Sequence, residues 1–355
     1  MAKVAILKTS PSTVIEDYAR LMDLAEYKKY INKNKRTLLK LNLSWTLYYP
    51  ACSTEPWQLD GVLKKLTSDG YKDIAAVENK TVVTDPIKGA KLNKWYDVLS
   101  KYNIKYKPLT EEKWVKYKLK DTLVLHEFFG DNYTIPEIFL NSNIIHLNTI
   151  KTHGHCTITG AMKNAFGGLI TEKRHHCHKK IHEVLVDLLK IQKDIHPGIF
   201  AVADGTVCGD GKGPRTMIPK IKNYILASED QVAIDAISAK MMGFDPMKIK
   251  FIKLAHDKGL GNADLDTIDI AGISKNELNR INFNFKTGKS PVIFFDQLFR
   301  KKLKFIEPIL FHTGLFNLCI FGSAFYHDYL WYPIFGKRKI KEFYKTEWGK
   351  LFLSY

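Results

Sequence analysis

The sequence has no paired-cysteine motif, no signal-peptide pattern, and fewer acidic than basic residues, and these absences exclude several classes of protein. Its 355 residues include five widely spaced cysteines, and a chain of this length needs no disulfide to stabilise its core. No window of 18 uncharged apolar residues occurs at the N-terminus or in the centre, and the first residues indicate a strand. We therefore expect a cytoplasmic protein.

The charge balance is strongly basic. Lysine and arginine number 54 against 37 aspartate and glutamate residues, which gives a net charge of +17. Such a surface attracts nucleic acid, acidic lipid, or carboxylated and phosphorylated small molecules. No nucleic-acid motif is visible, so nucleic acid ranks last among these partners and a small anionic molecule ranks first. The alternative is a solvated basic surface that reflects a general preference for lysine.

Short apolar strands alternate with helical patterns along the chain. Strands are predicted at residues 4–7, 37–43, 74–77, 122–125, 143–147, 200–203, 224–227 and 268–270. Helices are predicted at residues 58–68, 179–193 and 230–242. This order predicts an α/β fold, with a mostly parallel sheet flanked by helices, because strand–helix–strand units form right-handed parallel crossovers.

The character of the chain changes after about residue 285. We predict a core domain at residues 1–285 and a basic, aromatic-rich helical C-terminal extension at 286–355. An apolar stretch at 308–326 lies between two basic clusters, at 300–304 and 337–341. This pattern is typical of peripheral contact with an acidic membrane surface. The favoured alternative is a helical cap packed on the sheet.

The first candidate site is the segment 151–168, which comes directly after the predicted strand at 143–147. Ligands of open parallel sheets bind beyond the carboxyl ends of the strands. An imidazole titrates near neutrality and can move protons. The candidate catalytic residues are Lys151, His153 and His155. Small residues that lead into a new helix offer backbone N–H groups to an anion, and the candidate substrate-binding residues there are Lys163 and Asn164.

The same region is dense in histidine. Six of the twelve histidines lie between residues 153 and 182, interleaved with two cysteines. Imidazole and thiolate groups bind borderline metals, so a divalent metal or a metal-containing cofactor is one interpretation. The candidate metal ligands are His175, His176, His178, Cys156 and Cys177. The spacing matches no standard metal motif, and proton handling or a solvated basic turn are the alternatives.

The second candidate site is the glycine-rich segment 203–215. Four glycines in nine residues predict a shaped binding loop. Its carboxylates could fix a cation, a hydroxyl group or a histidine tautomer, and its arginine could hold a carboxylate or phosphate. A further carboxylate lies in the apolar context of the helix at 230–242. The candidate substrate-binding residues are Asp204, Asp210, Arg215 and Asp235.

Several motifs together resemble the family called domain of unknown function 362, over about residues 35–275. They are GYKDI at 70–74, KTH at 151–153, TGAMKNAFG at 159–167, ADG at 203–205, GKGP at 211–214, DQVAID at 230–235, GFDP at 243–246 and GLG at 259–261. The family's chemistry is mostly unassigned. The resemblance implies an association with iron–sulfur proteins and hence a redox or iron–sulfur partner protein. This chain lacks the ferredoxin-like cysteine runs of many members.

These residues favour an enzyme that acts on a small anionic substrate, by isomerase, racemase or lyase chemistry that a metal could assist. Lys151, Lys163 and Arg215 would hold the anion, while a histidine moves protons. One alternative is a non-catalytic metal or iron–sulfur related binding protein. Another is a protein that binds an acidic membrane surface through its C-terminal extension.

Overall fold

The computed structural model describes residues 1–170, 174–301, 310–311 and 313–355. Its strands are β1 (Lys3–Lys8), β2 (Thr37–Lys40), β3 (Ile74–Glu78), β4 (Lys105–Pro108), β5 (Trp114–Lys116), β6 (Thr134–Pro136), β7 (Asn143–His153), β8 (Thr157–Thr159), β9 (Ile199–Lys212), β10 (Thr216–Ser228) and β11 (Asp269–Ala271). Parts of the predicted basic cluster at 300–304 and of the apolar stretch at 308–326 lie outside the described residues.

Helices flank the strands and dominate the C-terminal extension. They are α1 (Val14–Leu24), α2 (Pro56–Ser68), α3 (Pro86–Leu92), α4 (Trp95–Lys101), α5 (Leu125–Phe129), α6 (Ala161–Leu169), α7 (Arg174–Cys177), α8 (Ile181–Ile195), α9 (Gln231–Met242), α10 (Lys250–Asp257), α11 (Lys275–Arg280), α12 (Pro291–Lys301), α13 (Phe316–Ala324), α14 (Lys337–Phe343) and α15 (Glu347–Ser354). The segment Phe325–Gly336, between α13 and α14, is π-helical.

The main sheet is mixed but mostly parallel. Its strand order is β11-β1-β10-β9-β7-β2-β3-β4, and β8 pairs with the end of β7. One half of the sheet is entirely parallel and consists of β9, β7, β2, β3 and β4. In the other half, β10 is antiparallel to both β1 and β9. The predicted α/β class and mostly parallel sheet are therefore confirmed.

Two hydrophobic layers cover the two faces of this sheet. Alternate residues of β2 enter different layers, with Leu38 in the first and Leu39 in the second, as the period of a strand requires. The first layer includes α6, α8, α9 and α10, and the second includes α1, α2 and α4. Parallel strands buried on both faces are apolar throughout, which explains why these strands were visible in the sequence.

The last two helices of the extension pack on the second face. Trp348 lies with its ring centroid 5.0 Å from that of Trp57, and its indole N–H donates to Asn223 Oδ1 at 2.7 Å. Phe352 stacks on Tyr48 at 3.7 Å. These helices therefore behave as the packed cap that the sequence favours. Within the part of the chain that is described, we find no helix with both the length and the apolarity needed to cross a bilayer.

Two predictions about local structure are wrong. No strand forms at 122–125, because the carboxylate of Asp187 accepts hydrogen bonds from the amides of Leu123, Val124 and Leu125 and starts α5 there. The glycine-rich segment 203–215 is not a loop, since β9 continues to Lys212. Most glycines of this segment allow neighbouring side chains or backbone to pack closely against the strand. At Gly209, for example, a Cβ atom would collide with Met217 Sδ.

Candidate functional site

The N-terminus of α6 lies directly after the β7–β8 hairpin and is capped by a side chain from α9. Asp235 accepts hydrogen bonds from the amides of Ala161 at 2.6 Å and Met162 at 3.1 Å. Burial raises the pKa of this carboxyl from 3.8 to about 7. Gly160 leaves room for the carboxylate, which a Cβ atom would strike. The protein's own carboxylate therefore occupies the helix terminus that the sequence assigns to an anionic ligand.

A buried ion pair lies under the other end of α6. Lys40 Nζ donates to Glu78 Oε1 at 2.7 Å, and the two side chains are only 1% and 4% exposed. A Cβ atom at Gly167 would lie 3.1 Å from Lys40 Nζ, so the paired glycines Gly167 and Gly168 give this pair its space. Neither charged residue was among the sequence candidates. The available signal was a charged residue at the end of each of two apolar strands.

Lys151 belongs to a buried polar network and not to an open site. Its ammonium donates to Asn42 Oδ1 at 2.5 Å, Thr149 Oγ1 at 2.5 Å and the Cys52 carbonyl at 2.9 Å. Three acceptors use all three of its protons. Burial lowers its pKa from 10.5 to about 7. Asn164 joins the same network because its Oδ1 accepts from Asn42 Nδ2 at 3.4 Å, and it also donates to the Lys40 carbonyl at 2.9 Å.

The two candidate aspartates of the glycine-rich segment are held in other places. Asp204 accepts hydrogen bonds from the Tyr18 hydroxyl at 2.6 Å, the Trp57 indole at 2.9 Å and the Thr206 hydroxyl at 2.7 Å. It is fully buried, and its carboxylate is already satisfied by the protein. Asp210 accepts from the Lys286 amide at 2.9 Å and tethers the chain that enters the extension.

A cavity of about 480 Å³ lies between the carboxyl edge of the sheet and the C-terminal extension. The core contributes the end of β7, the residues after it, and the turn between β9 and β10. The extension contributes α12, α13 and the start of the π-helical segment. The lining residues that carry a nitrogen base or a cation are His153, His155, His175, His178, Lys212, Arg215, Arg300 and His327.

Three histidines of this lining lie side by side, and hydrogen bonds to the backbone fix the tautomers of two of them. The ring of His155 is 5.8 Å from that of His153 and 5.1 Å from that of His178. His153 Nδ1 accepts from the His155 amide at 3.1 Å, which assigns its ring proton to Nε2. His178 Nδ1 faces the Arg174 carbonyl at 3.1 Å and must donate, which leaves Nε2 as an acceptor.

The protonation of these histidines is set by burial and by neighbouring cations. Burial lowers the pKa of His153 and of His178 well below 6.5, and the ammonium of Lys163 lowers both further. Both rings are therefore neutral near pH 7. One ring thus has an N–H to donate and the other has a basic lone pair.

Two cations of this region have no hydrogen-bond partner anywhere in the described chain. Arg215 lies in the turn between β9 and β10, is half-buried, and lines the cavity. The nearby carboxylate of Asp328 instead accepts from the Trp45 indole at 2.6 Å. Lys163 on α6 is also half-buried, with its ammonium 5.4 Å from the centre of the Phe166 ring. Burial lowers the pKa of both residues.

The candidate metal ligands do not form a metal centre in the residues described. No group of three or more His, Cys, Asp or Glu side chains there is arranged to hold an ion. Burial raises the pKa of Cys156 and of Cys177 to about 12, so both are thiols near neutral pH. His175 stacks on Phe316 at 3.8 Å, and its ring is 3.9 Å from that of His176.

The structure thus brings together only some of the sequence candidates. The cavity is shared by His153, His155, His175, His178 and Arg215, and Lys163 lies close enough to shift the pKa of two of these histidines. The network residues Lys151 and Asn164 lie outside its lining, as do Asp204, Asp210 and Asp235. Three further lining residues were not site candidates: Lys212 lies in the GKGP motif, Arg300 begins the basic cluster at 300–304, and no motif includes His327.

Comparison with known proteins gives a family but no activity. The family profile "Domain of unknown function (DUF362)" matches residues 37–240, more than half of the chain. A Synechocystis protein, "Thylakoid-associated protein sll1697", is 27% identical over 124 residues, which are 33% of this chain and 37% of that protein. The chain thus matches little more than a third of this relative's length. No solved structure matches.

Proposed function

The chain belongs to the family described as Domain of unknown function (DUF362), and because that description assigns no activity, we propose a function from the geometry of the cavity. The cavity binds a small molecule that carries a carboxylate or phosphate group. His178 then takes a proton from that molecule and returns it as imidazolium, while His153 donates a hydrogen bond, in an isomerisation, racemisation or elimination.

The observation that carries this proposal is the guanidinium of Arg215. It lines the cavity without a hydrogen-bond partner in the described chain. A half-buried cation without partners is unfavourable unless something supplies them. A carboxylate or phosphate does so with two parallel hydrogen bonds and full charge compensation. The ammonium of Lys163 adds positive potential at His153 and His178.

The histidine pair supports proton transfer. A neutral imidazole with a lone pair on Nε2, as in His178, takes a proton from the ligand and returns it as imidazolium. A neutral imidazole with its proton on Nε2, as in His153, donates a hydrogen bond to the charge that develops on the ligand. The structure contains one ring of each kind, on either side of His155. A base that takes and returns a proton, beside a hydrogen-bond donor, is what an isomerase, racemase or lyase needs.

Binding of inorganic phosphate and of acetate to the Arg215→Gln variant tests the anion site. The variant keeps hydrogen-bond donors but loses the charge, and we expect at least about tenfold weaker binding of both ions, as for the loss of a charge-assisted pair. The matched control is Arg338→Gln, because Arg338 is 83% exposed on α14, away from the cavity lining. Equal affinities for the two variants, measured by calorimetry, would refute the anion site.

A second candidate function is contact with an acidic membrane surface. Four side chains form an exposed apolar face along α13 and the π-helical segment: Leu318 (64% exposed), Phe321 (67%), Phe325 (53%) and Tyr329 (74%). Basic side chains of α14 come directly after it, with Lys337, Arg338 and Lys341 exposed. Apolar groups beside basic groups are typical of membrane-surface helices. The Synechocystis relative is described as thylakoid-associated, which supports the same interpretation.

A further inference from the structure

We propose that the ligand of the cavity is an amphiphile, with an acidic head group on the basic wall of the core and an apolar chain along the wall formed by the extension. This inference rests on the proposed anion site and adds the chemical class of the rest of the ligand.

The two walls of the cavity differ in chemistry. The core wall supplies the basic side chains His153, His155, His178, Lys212 and Arg215. The wall formed by the extension is mainly aliphatic and aromatic, although it also carries Asp296, Arg300 and His327. Its apolar side chains include Ile293, Phe295, Phe299, Phe316, Ile320 and Tyr326. A ligand with a charge at one end only and hydrocarbon at the other satisfies both walls, because hydrocarbon gains free energy when it covers apolar surface.

The size of the cavity also requires more than a small anion. Its volume of about 480 Å³ lies in the range of sites for drug-sized molecules. A water molecule occupies about 30 Å³ in the liquid. An inorganic phosphate has five heavy atoms and is only a few times larger than water, so it fills only a minor part of the cavity. The remaining volume adjoins the apolar wall.

The apolar wall continues to the outside of the molecule. Phe295 lines the cavity and is nevertheless 51% exposed. Along α13 and the π-helical segment, one row of side chains at spacings of three or four residues lines the cavity: Phe316, Ile320, Ser323 and His327. The exposed apolar face occupies other positions of the same helix. An apolar chain in the cavity therefore lies beside the surface proposed to contact a membrane.

A series of alkyl phosphates tests this inference on the full-length protein. Inorganic phosphate is compared with butyl, hexyl, octyl and decyl phosphate, each below its critical micelle concentration, by calorimetry. The affinity should rise about fourfold for each methylene that enters the cavity, and then level off. Octanol, which has the chain without the charge, should bind at least about tenfold more weakly than octyl phosphate, since it leaves Arg215 unpaired.

Two variants locate the effect. Ile320→Asn on the cavity wall should flatten the dependence on chain length, with each affinity taken relative to that of inorganic phosphate for the same variant. Leu318→Asn on the exposed apolar face should leave the whole series unchanged. If Ile320→Asn does not fold, as judged by thermal unfolding, the wild-type series and Leu318→Asn still decide the question.

The outcomes separate this inference from the anion site. An affinity independent of chain length, with inorganic phosphate still bound through Arg215, overturns the amphiphile and leaves the anion site intact. Octanol binding as tightly as octyl phosphate, or a Leu318→Asn variant that loses the chain-length effect, also overturns it. If no phosphate in the series binds, the anion site itself fails, and this inference fails with it.

Discussion

Single residues around α6 divide into those whose polar atoms are satisfied by the protein and those whose atoms are not. Lys40, Lys151 and Asp235 are buried with strong partners, so they hold the structure together. Arg215 and Lys163 are half-buried, and the described chain offers no hydrogen bond to either. Burial of a charged residue therefore does not by itself indicate a ligand-binding site. A half-buried cation without a hydrogen-bond partner in the described chain does indicate one.

The pair Lys40–Glu78 should be far more important for stability than a surface pair. Lys40→Met leaves the Glu78 carboxylate buried without its partner, and we expect the free energy of unfolding to fall by about 3–5 kcal/mol. The double variant Lys40→Met with Glu78→Gln should recover part of the loss. The control is Lys64→Met, whose exposed partner is Glu16, with a loss below about 1 kcal/mol. Equal losses in urea unfolding would contradict the assignment.

Anion binding should be coupled to proton uptake. In the free protein His153 and His178 are neutral at pH 7, since burial lowers the pKa of each. A bound anion stabilises the imidazolium form, so it raises these pKa values, and binding should tighten as the pH falls below about 6.5. The charged and titratable groups that face the two rings are Lys151, His155, Lys163, Arg174 and Arg300.

Sulfate is the suitable probe for this coupling, because it does not titrate in that range. Calorimetry below about pH 6.5, in two buffers with different ionisation enthalpies, gives the number of protons taken up. His178→Phe should lower that number. Sulfate binding without any proton uptake would show that neither imidazole senses the bound anion.

At the scale of elements, α6 depends on a neighbouring helix for its N-terminal cap. Asp235→Asn should lower the free energy of unfolding by about 1–3 kcal/mol, because one amide of α6 loses its acceptor. The pKa of Asp235 is raised to about 7 in the folded protein, so the wild type loses this carboxyl's contribution as the pH rises from about 4 through 7. The stability difference between wild type and variant should therefore be largest near pH 4 and shrink toward pH 8.

Urea unfolding at several pH values measures this difference, and Asp257→Asn is the control. Asp257 is exposed on α10 and pairs only with Lys253 within the described contacts. A constant difference between wild type and Asp235→Asn at every pH would mean that the carboxyl titrates alike in the folded and unfolded states.

At the scale of the whole molecule, the C-terminal extension has two roles that separate along its length. Its last helices complete the second hydrophobic layer through Trp348 and Phe352. Its earlier helices form one wall of the cavity and the exposed apolar face. Deletion of the whole extension would therefore uncover the core, and single substitutions are the better test of membrane contact.

Vesicle co-sedimentation should detect that contact. We expect the wild type to bind vesicles of phosphatidylcholine with phosphatidylglycerol, and to be released by salt because basic residues contribute. The double variant Phe321→Ser with Phe325→Ser should bind at least about tenfold less, since two aromatic groups that would enter the membrane surface are lost. The control is Ile87→Ser, an exposed apolar residue on α3. Equal loss in the control would show that the exposed apolar face is not specific.

The sequence alone determined the fold class, and seven of the eight predicted strands and all three predicted helices lie near their true positions. Buried strands and amphipathic helices appear as local patterns, and the predicted helix at 58–68 corresponds to Pro56–Ser68. The histidine-rich segment after β7 was also visible, since the carboxyl end of a parallel strand places the next residues at the ligand-binding edge of the sheet. These features depend on residues a few positions apart, where side-chain period and capping chemistry act directly.

Only the tertiary structure decided which polar residues share a site. Lys40 and Glu78 meet because β2 and β3 are neighbours, and Asp204 is removed from the cavity because the alternation of β9 turns its side chain to the second layer. The partner of Asp235 lies on another helix, and the apolar wall of the cavity comes from residues more than a hundred positions after the histidines. Strand order and layer packing arise from long-range contacts, and no local pattern records them.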